Sequence, residues 1–99
     1  MNVIDKAFQI NFPDMEIQEN FTFSTVLEDG VFVFRFRWAD GRWHVWVTPP
    51  GKQPRPAGAE PNVMNWTGYA DYGLMFATDM TTVDFNSLFK TSLVVVKWV

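Results

Sequence analysis

The residues able to carry chemistry are few in this chain, and their spacing does not assemble a catalytic set. The 99 residues contain one histidine, His44, and no cysteine, which excludes a thiol nucleophile, a thiolate zinc site and an iron–sulfur cluster. No serine or aspartate is placed by the pattern to partner His44, so a surface polar role is favoured over that of a catalytic base. We therefore expect no enzymatic activity, no cofactor and no bound metal ion.

The aspartates fall at turns and breaks, where their side chains commonly bond the local backbone. These residues are Asp29, Asp40, Asp71, Asp79 and Asp84. A glycosidase needs two carboxylates facing each other across a cleft, and no spacing here puts two on one strand face. No phosphate-binding loop, dinucleotide-binding glycine pattern or nucleophile elbow is present either.

Length and composition describe one soluble domain spanning residues 1–99. The chain is 47% hydrophobic and 17% aromatic with a formal net charge of −3, so it can bury a core but offers no general attraction to a phosphate backbone. The opening MNVIDKAFQI lacks the features of a secretory signal, and no stretch approaches the roughly 18 apolar residues of a membrane span. We expect synthesis in a cytoplasm, with no membrane insertion and no direct nucleic-acid readout.

Period-two alternation recurs along the chain, whereas no segment sustains a 3.6-residue apolar spacing. This pattern predicts an all-β fold, a small barrel or sandwich built on an antiparallel meander. The terminal run 92–99 is nearly continuously apolar, which indicates a strand that is buried on both faces or docked centrally. Residues 84–90 fit one helical turn capped by Asp84 or a plain turn. The predicted strands are 7–12, 21–27, 31–38, 43–48, 74–78 and 92–99.

Two Asp-Gly turns fix the expected register of the meander. A two-residue loop at Asp40-Gly41 pairs Arg35 with Trp46, and one at Asp29-Gly30 pairs Leu27 with Phe32. Both registers put the same residues of the shared central strand on one face, and a one-residue slip would destroy that agreement. The predicted core is Phe21, Phe23, Phe32, Phe34, Phe36, Trp38, Val45 and Val47.

Residues 49–61, PPGKQPRPAGAEP, hold five of the six prolines. Proline removes a backbone donor and fixes φ, so neither a helix nor a central strand can form there. We predict a proline-rich arm or loop that is ordered.

The sheet face opposite the predicted core carries the candidate interaction residues. Arg35 faces Trp46 in the geometry of a cation–π pair, which either stabilises the sheet or belongs to a docking patch of the composition that interfaces favour. Four tryptophans, Trp38, Trp43, Trp66 and Trp98, suggest a sugar-stacking platform, but two of them lie on the predicted core face. The candidate interface set is Arg35, Arg37, His44, Trp46, Pro54, Pro56, Trp66, Tyr69 and Tyr72. Trp46 and Val33 on the solvent side, together with the last three of these, are expected to leave an apolar patch.

The segments FVFRFRW (32–38) and GRWHVWV (41–47) resemble the plug proteins of contractile-tailed phage baseplates, the cyanophage baseplate plug-like family. AFQINF (7–12), QENFTFSTVLEDG (18–30) and SLVVVKW (92–98) are similar to that family's other strands in the same order. The chain departs from the family at residues 49–73, where a further strand with a polar turn and a leucine-rich segment would be expected.

The resemblance implies a non-enzymatic virion protein that plugs or lines the central channel of the baseplate hub. Its implied partners are the hub, the tail tube or tube initiator and the tape measure, in a homo-oligomer of three- or six-fold symmetry made in the host cytoplasm. The main alternative is a small carbohydrate- or peptide-binding β-module, for which exposed tryptophans and the proline segment serve equally well.

Overall fold

The computed structural model describes residues 3–99, and these form two four-stranded antiparallel sheets packed as a sandwich. The first sheet has the order β1-β8-β7-β6 and the second the order β2-β3-β4-β5, and no ladder joins one sheet to the other in this part of the chain. The predicted all-β fold is confirmed, as a sandwich and not a closed barrel. The strands are β1 Ile4–Ile10, β2 Asn20–Leu27, β3 Gly30–Ala39, β4 Arg42–Thr48, β5 Arg55–Ala57, β6 Met64–Trp66, β7 Tyr72–Ala77 and β8 Ser92–Trp98, and a 3-10 helix covers Phe85–Lys90.

The β3–β4 hairpin has the register that the sequence predicts. Arg35 pairs with Trp46, and Ala39 and Arg42 close a two-residue loop. Both loop residues have positive φ, 57° at Asp40 and 72° at Gly41, as a type I′ turn requires. The Asp-Gly dipeptide therefore determines this hairpin.

The β2–β3 hairpin differs from the prediction by two residues. Leu27 pairs with Gly30 and not with Phe32, so Glu28 and Asp29 form the loop. Gly30 has φ of 128°, and a Cβ placed there would lie 3.1 Å from the Cβ of Pro50, so glycine is needed beside the turn and not inside it. Because side chains alternate with a period of two, this shift leaves every residue on its predicted face.

The predicted core is confirmed between the two sheets. Phe21, Phe32, Phe34, Phe36, Val45 and Val47 are buried, and Phe23 and Trp38 are half-buried against them. The first sheet contributes Tyr72, Leu74, Phe76, Leu93 and Val95, and the 3-10 helix adds Leu88.

The terminal strand β8 lies centrally, between β1 and β7, as predicted. The first strand begins three residues earlier than predicted and ends at Ile10. Phe12 therefore lies beyond β1, where its ring packs 5.9 Å from that of Phe23 and 5.0 Å from that of Phe89.

The proline segment is folded back onto the second sheet. Its residues Arg55–Ala57 form the edge strand β5, which pairs with β4. The helical turn is also present, but the side chain of Asp84 makes no capping bond and instead accepts a hydrogen bond from the Thr82 hydroxyl at 3.2 Å. Among residues 3–99, no helix has the length and apolar character needed to cross a membrane.

Candidate interaction surfaces

The outer face of the second sheet brings together four of the predicted site residues, and we call it the Arg–Trp face. It is the surface around Arg35, Arg37, His44 and Trp46. The guanidinium carbon of Arg35 lies 5.1 Å from the centre of the Trp46 ring. The centre of the His44 ring lies 6.5 Å from the centre of the same ring, and the two ring planes are 29° from parallel. The predicted cation–π pair is therefore confirmed.

Charge is segregated on this face. The chain carries a net charge of −3, yet the strand positions of the Arg–Trp face hold Arg35, Arg37 and Arg42 and no carboxylate. None of these arginines forms an ion pair within residues 3–99. The face therefore presents unneutralised guanidinium groups beside an aromatic ring, a combination suited to carboxylates on a partner.

His44 is held in place by the backbone. Its Nε2 donates to the carbonyl oxygen of Ala39 at 3.1 Å, and the residue is half-buried. This contact orients the imidazole ring against Trp46. His44 therefore stands as a positioned member of the face.

The two candidate prolines border the Arg–Trp face. Pro56 lies opposite Trp46 in the β4–β5 ladder, and Pro54 lines a shallow groove together with Arg35 and Trp46. Both proline rings are exposed. The proline-rich segment thus widens this surface, as part of the sheet and not as a projecting arm.

Tyr69 anchors the proline segment. The Arg55 guanidinium carbon and the Lys52 ammonium lie 5.1 Å and 5.3 Å from the centre of its ring, and its hydroxyl donates to the carbonyl of Gln53. This ring is therefore occupied by contacts within the chain, at the edge of the sandwich.

Tyr72 is misplaced by the sequence prediction, which puts it in an exposed apolar patch. It is 8% exposed, and its ring packs edge-on against Phe32 at 5.2 Å. The reason is the alternation of side chains along β7, because Tyr72 is in step with Leu74 and Phe76 and its ring points between the sheets with theirs. Burial, followed by the hydrogen bond to Asp29, raises the pKa of Tyr72 to about 12.

Trp66 is exposed as predicted, but it lies on the other side of the molecule from Trp46. It is 76% exposed and stands on β6 of the first sheet, where it pairs with Gly73. The nine candidate residues therefore divide among two opposite faces, one edge and the core.

The outer face of the first sheet is apolar, and sequence reasoning misses it. We call it the apolar face. Among the paired strand positions there, only Gln9 and Ser92 are polar, and the charged Asp5 is the unpaired residue at the irregularity of the β1 edge. Its apolar members are Ile4, Ala7, Met64, Trp66, Met75, Ala77, Val94, Val96 and Trp98.

Gly73 shapes the centre of the apolar face. A Cβ at this position would lie 2.5 Å from the Sδ of Met64 and 3.1 Å from the Cζ2 of Trp98, so both side chains close over bare backbone. Val96, the cross-strand neighbour of Gly73, is consequently buried although it points away from the core. The signal in the sequence is the alternation Val94, Val96, Trp98 within a run that also supplies Leu93 and Val95 to the core.

A cleft lies between β4, residues 56–61 and residues 81–84. The indole Nε1 of Trp43 donates to the backbone carbonyl of Asp84 at 3.2 Å at this cleft. The polar groups of Trp43, His44 and Thr82 are thus already engaged by the chain itself. Across residues 3–99, no three histidine, aspartate or glutamate side chains converge in a metal-binding arrangement.

Comparison with family models, curated proteins and solved structures finds no match to this chain.

Proposed function

We propose that this protein is a non-catalytic structural subunit of a larger protein assembly and that the apolar face is its principal docking surface. The observation that carries the proposal is an outer sheet face with Trp66 and Ile4 exposed and no charged residue among its paired strand positions. Burial against a neighbour would remove this apolar area from water, which is the dominant favourable term in protein association.

The size of the apolar face supports this role. Its four strands have 7, 7, 6 and 3 residues, and at about 3.4 Å per residue and about 4.8 Å between strands they cover roughly 375 Å². The largest apolar patch on a soluble domain is typically about 300–600 Å² and is often functional. A neighbouring subunit of matching apolar surface is the partner that this face fits.

The Arg–Trp face gives the same subunit a second contact of different chemistry. It lies on the opposite side of the sandwich, and its unpaired arginines suit a partner surface that presents carboxylates. A domain with an apolar face on one side and a cationic face on the other can be held between two unlike neighbours. A plug or connector between two such neighbours can use this arrangement.

The specific assembly that we propose is the baseplate of a contractile phage tail, with the protein in the virion as a plug or lining of the hub channel. The support is the resemblance of residues 32–38 and 41–47 to the plug proteins of such baseplates. These residues form the β3–β4 hairpin at the centre of the second sheet. The proposed partners are the hub, the tube or tube initiator and the tape measure, with three- or six-fold repetition of this chain.

Co-expression with the tail proteins encoded in the same genome tests the proposal. We expect the wild-type chain to copurify with assembled baseplates and Trp66→Asp to be excluded from them, because a carboxylate is costly to bury in a dry interface. Val31→Asp is the control for an aspartate at an exposed apolar strand position outside the apolar face, since Val31 is exposed and pairs with Val26 beside the β2–β3 loop. Normal incorporation of Trp66→Asp would contradict the docking role, and a wild-type monomer that binds soluble glycans would favour the carbohydrate-module alternative.

A further inference from the structure

The four edge strands of the sandwich are not equally protected against pairing with another chain. The β5 edge contains Pro56 and is three residues long, and β6 is equally short. The β1 edge carries Asp5 and Lys6 and has a register irregularity between Ile4 and Lys6. Short length, proline, charge and bulges are the devices by which proteins block edge-to-edge association.

The β2 edge, Asn20–Leu27, has none of these devices. It is eight residues long, NFTFSTVL, without charge or proline, and its register with β3 is uninterrupted. An edge of this length and composition is a template for a further strand.

The hydrogen-bonding pattern shows which groups of β2 are free. Leu27 and Gly30 close a two-residue loop and are therefore a hydrogen-bonded pair, and the bond from the Trp38 amide to the Glu19 carbonyl, 2.7 Å, continues that alternation at the other end. The residues between these bonded pairs turn their N–H and C=O groups away from β3. They are Asn20, Thr22, Ser24 and Val26, and no hydrogen bond from elsewhere in residues 3–99 reaches their backbone.

We propose that two copies of this chain pair antiparallel through β2 about a two-fold axis, joining their second sheets into one continuous eight-stranded sheet. Only the even-numbered residues of β2 have free backbone groups, so an even-numbered residue of one copy must pair with an even-numbered residue of the other. Among the registers that satisfy this condition, the one centred on Phe23 pairs all four free residues. It sets Thr22 opposite Ser24 of the second copy and Asn20 opposite Val26. The same surface serves both copies, as two-fold symmetry requires.

The side chains on both faces agree with this register. On the core side, Phe23 meets its own counterpart and Phe21 meets Thr25, so the aromatic cluster around Phe23, which includes Phe12 and Phe34, continues from one copy into the other. On the outer side, two hydroxyl residues meet. No charged residue of β2 faces another, because the strand has none.

This pairing goes beyond the proposed function and does not depend on it. It uses the edge of the second sheet and leaves both the apolar face and the Arg–Trp face free. A failure of baseplate incorporation and a failure of pairing are therefore separate results.

Sedimentation velocity of the full chain across a dilution series tests the pairing. We expect a concentration-dependent dimer for the wild type and for Ser24→Ala, which keeps the backbone N–H. Ser24→Pro removes that N–H at the centre of the free edge while leaving the bonds to β3 in place, so it should sediment as a monomer with an unchanged circular dichroism spectrum. A wild-type monomer throughout the series overturns the proposal, as does a dimer that survives Ser24→Pro and is lost in Trp66→Asp.

A second measurement holds even if Ser24→Pro does not fold. Val26 is 75% exposed, and the chain has no cysteine, so Val26→Cys accepts a single spin label. In the proposed register the two Val26 positions are six residues apart along paired strands, which is about 20 Å between Cα atoms. Dipolar spectroscopy should give a distance distribution near this value plus the label arms, and the absence of any dipolar coupling would overturn the pairing.

Discussion

The hydroxyl of Tyr72 donates a hydrogen bond to the carboxylate of Asp29 across 2.9 Å, and the Lys97 ammonium donates to the same oxygen at 2.6 Å. Tyr72 and Lys97 belong to the first sheet, whereas Asp29 is in the β2–β3 loop of the second. The three side chains therefore tie the two sheets together at one end of the sandwich. The prediction that Asp29 bonds the local backbone is wrong, because these two groups take its carboxylate.

The Tyr72 contact predicts a loss of stability at high pH. The folded-state pKa is about 12 against an ordinary value of 10.0, so the folded protein holds the proton longer than the unfolded chain does. This contribution is fully present below pH 10 and is lost as the pH rises from 10 towards 12. Urea unfolding at a series of pH values should show the decline for the wild type and a shallower one for Tyr72→Phe. Identical slopes for the two proteins would contradict the assignment.

At acid pH the dependence of stability on pH has the opposite sign. The hydrogen bonds from Lys97 and then Tyr72 lower the pKa of Asp29 below its ordinary value of 3.8. The stabilisation by this carboxylate is therefore present above that value and is lost as the pH falls through the lowered pKa. Asp29→Asn should weaken the acid dependence of the unfolding free energy, and an unchanged acid limb would argue against the contact.

Core truncation should be severe on the predicted face. Phe34 is 0% exposed and packs against Phe23 and Phe32, so Phe34→Ala should lower the free energy of unfolding by about 3–5 kcal/mol. Thr22 lies on β2, next to the strand of Phe34, and its side chain is on the outer face. Thr22→Ala should therefore change the free energy of unfolding by less than about 0.5 kcal/mol. Chemical denaturation measures both, and a fully stable Phe34→Ala protein would count against the core assignment.

Sequence reasoning succeeds for the faces of the second sheet because a period of two survives errors in register. The Asp40-Gly41 loop is predicted correctly since both of its residues tolerate positive φ. At the β2–β3 turn the loop lies one residue earlier than the Asp-Gly signal indicates, which shifts the pairing by two residues, because Gly30 is needed for its own φ and for the approach of Pro50. Which strands become neighbours in a sandwich depends on contacts distant in sequence, and local patterns do not encode them.

The apolar face escapes sequence reasoning for the same reason. An alternating apolar run such as Val94, Val96 and Trp98 is assigned to a core when its partner strands are unknown. Only the placement of Gly73 and Met64 beside it shows that this side of β8 faces outward. The prediction for Tyr72 is wrong in the opposite direction, since it expects an exposed residue where the structure has a buried one. An aromatic residue near a loop is expected to be exposed until the alternation of side chains along β7 is known.

Gly41, inside the β3–β4 loop, and Gly30, beside the β2–β3 loop, should respond differently to alanine. Gly41 has φ of 72° with open space around it, whereas Gly30 combines φ of 128° with Pro50 atoms at 3.1 and 3.2 Å from an added Cβ. Gly41→Ala should cost about 1 kcal/mol from backbone strain, and Gly30→Ala should cost more because Pro50 must also move. Equal losses of stability in thermal unfolding would contradict the close approach of Pro50.

The Arg35 and Trp46 pair should matter more for binding than for folding. An exposed cation–π contact is worth about 0.5–1 kcal/mol, so the double variant Arg35→Ala with Trp46→Ala should remain folded. Its incorporation into the proposed baseplate should fall, because the Arg35 guanidinium and the ring that it contacts are both lost. Arg55→Ala is a control that removes one guanidinium at Tyr69, away from this face. Equal incorporation of the double variant and the wild type would place the second contact elsewhere.

Hydroxyl-radical footprinting of Trp66 tests the docking role of the apolar face most directly, because it uses the unmodified chain. In the free protein this indole is 76% exposed and should oxidise readily. In purified assembled particles we expect its oxidation to fall severalfold, since a neighbouring subunit covers the face. Equal oxidation of Trp66 in the free and assembled states would contradict the central claim that this face is where the subunit docks.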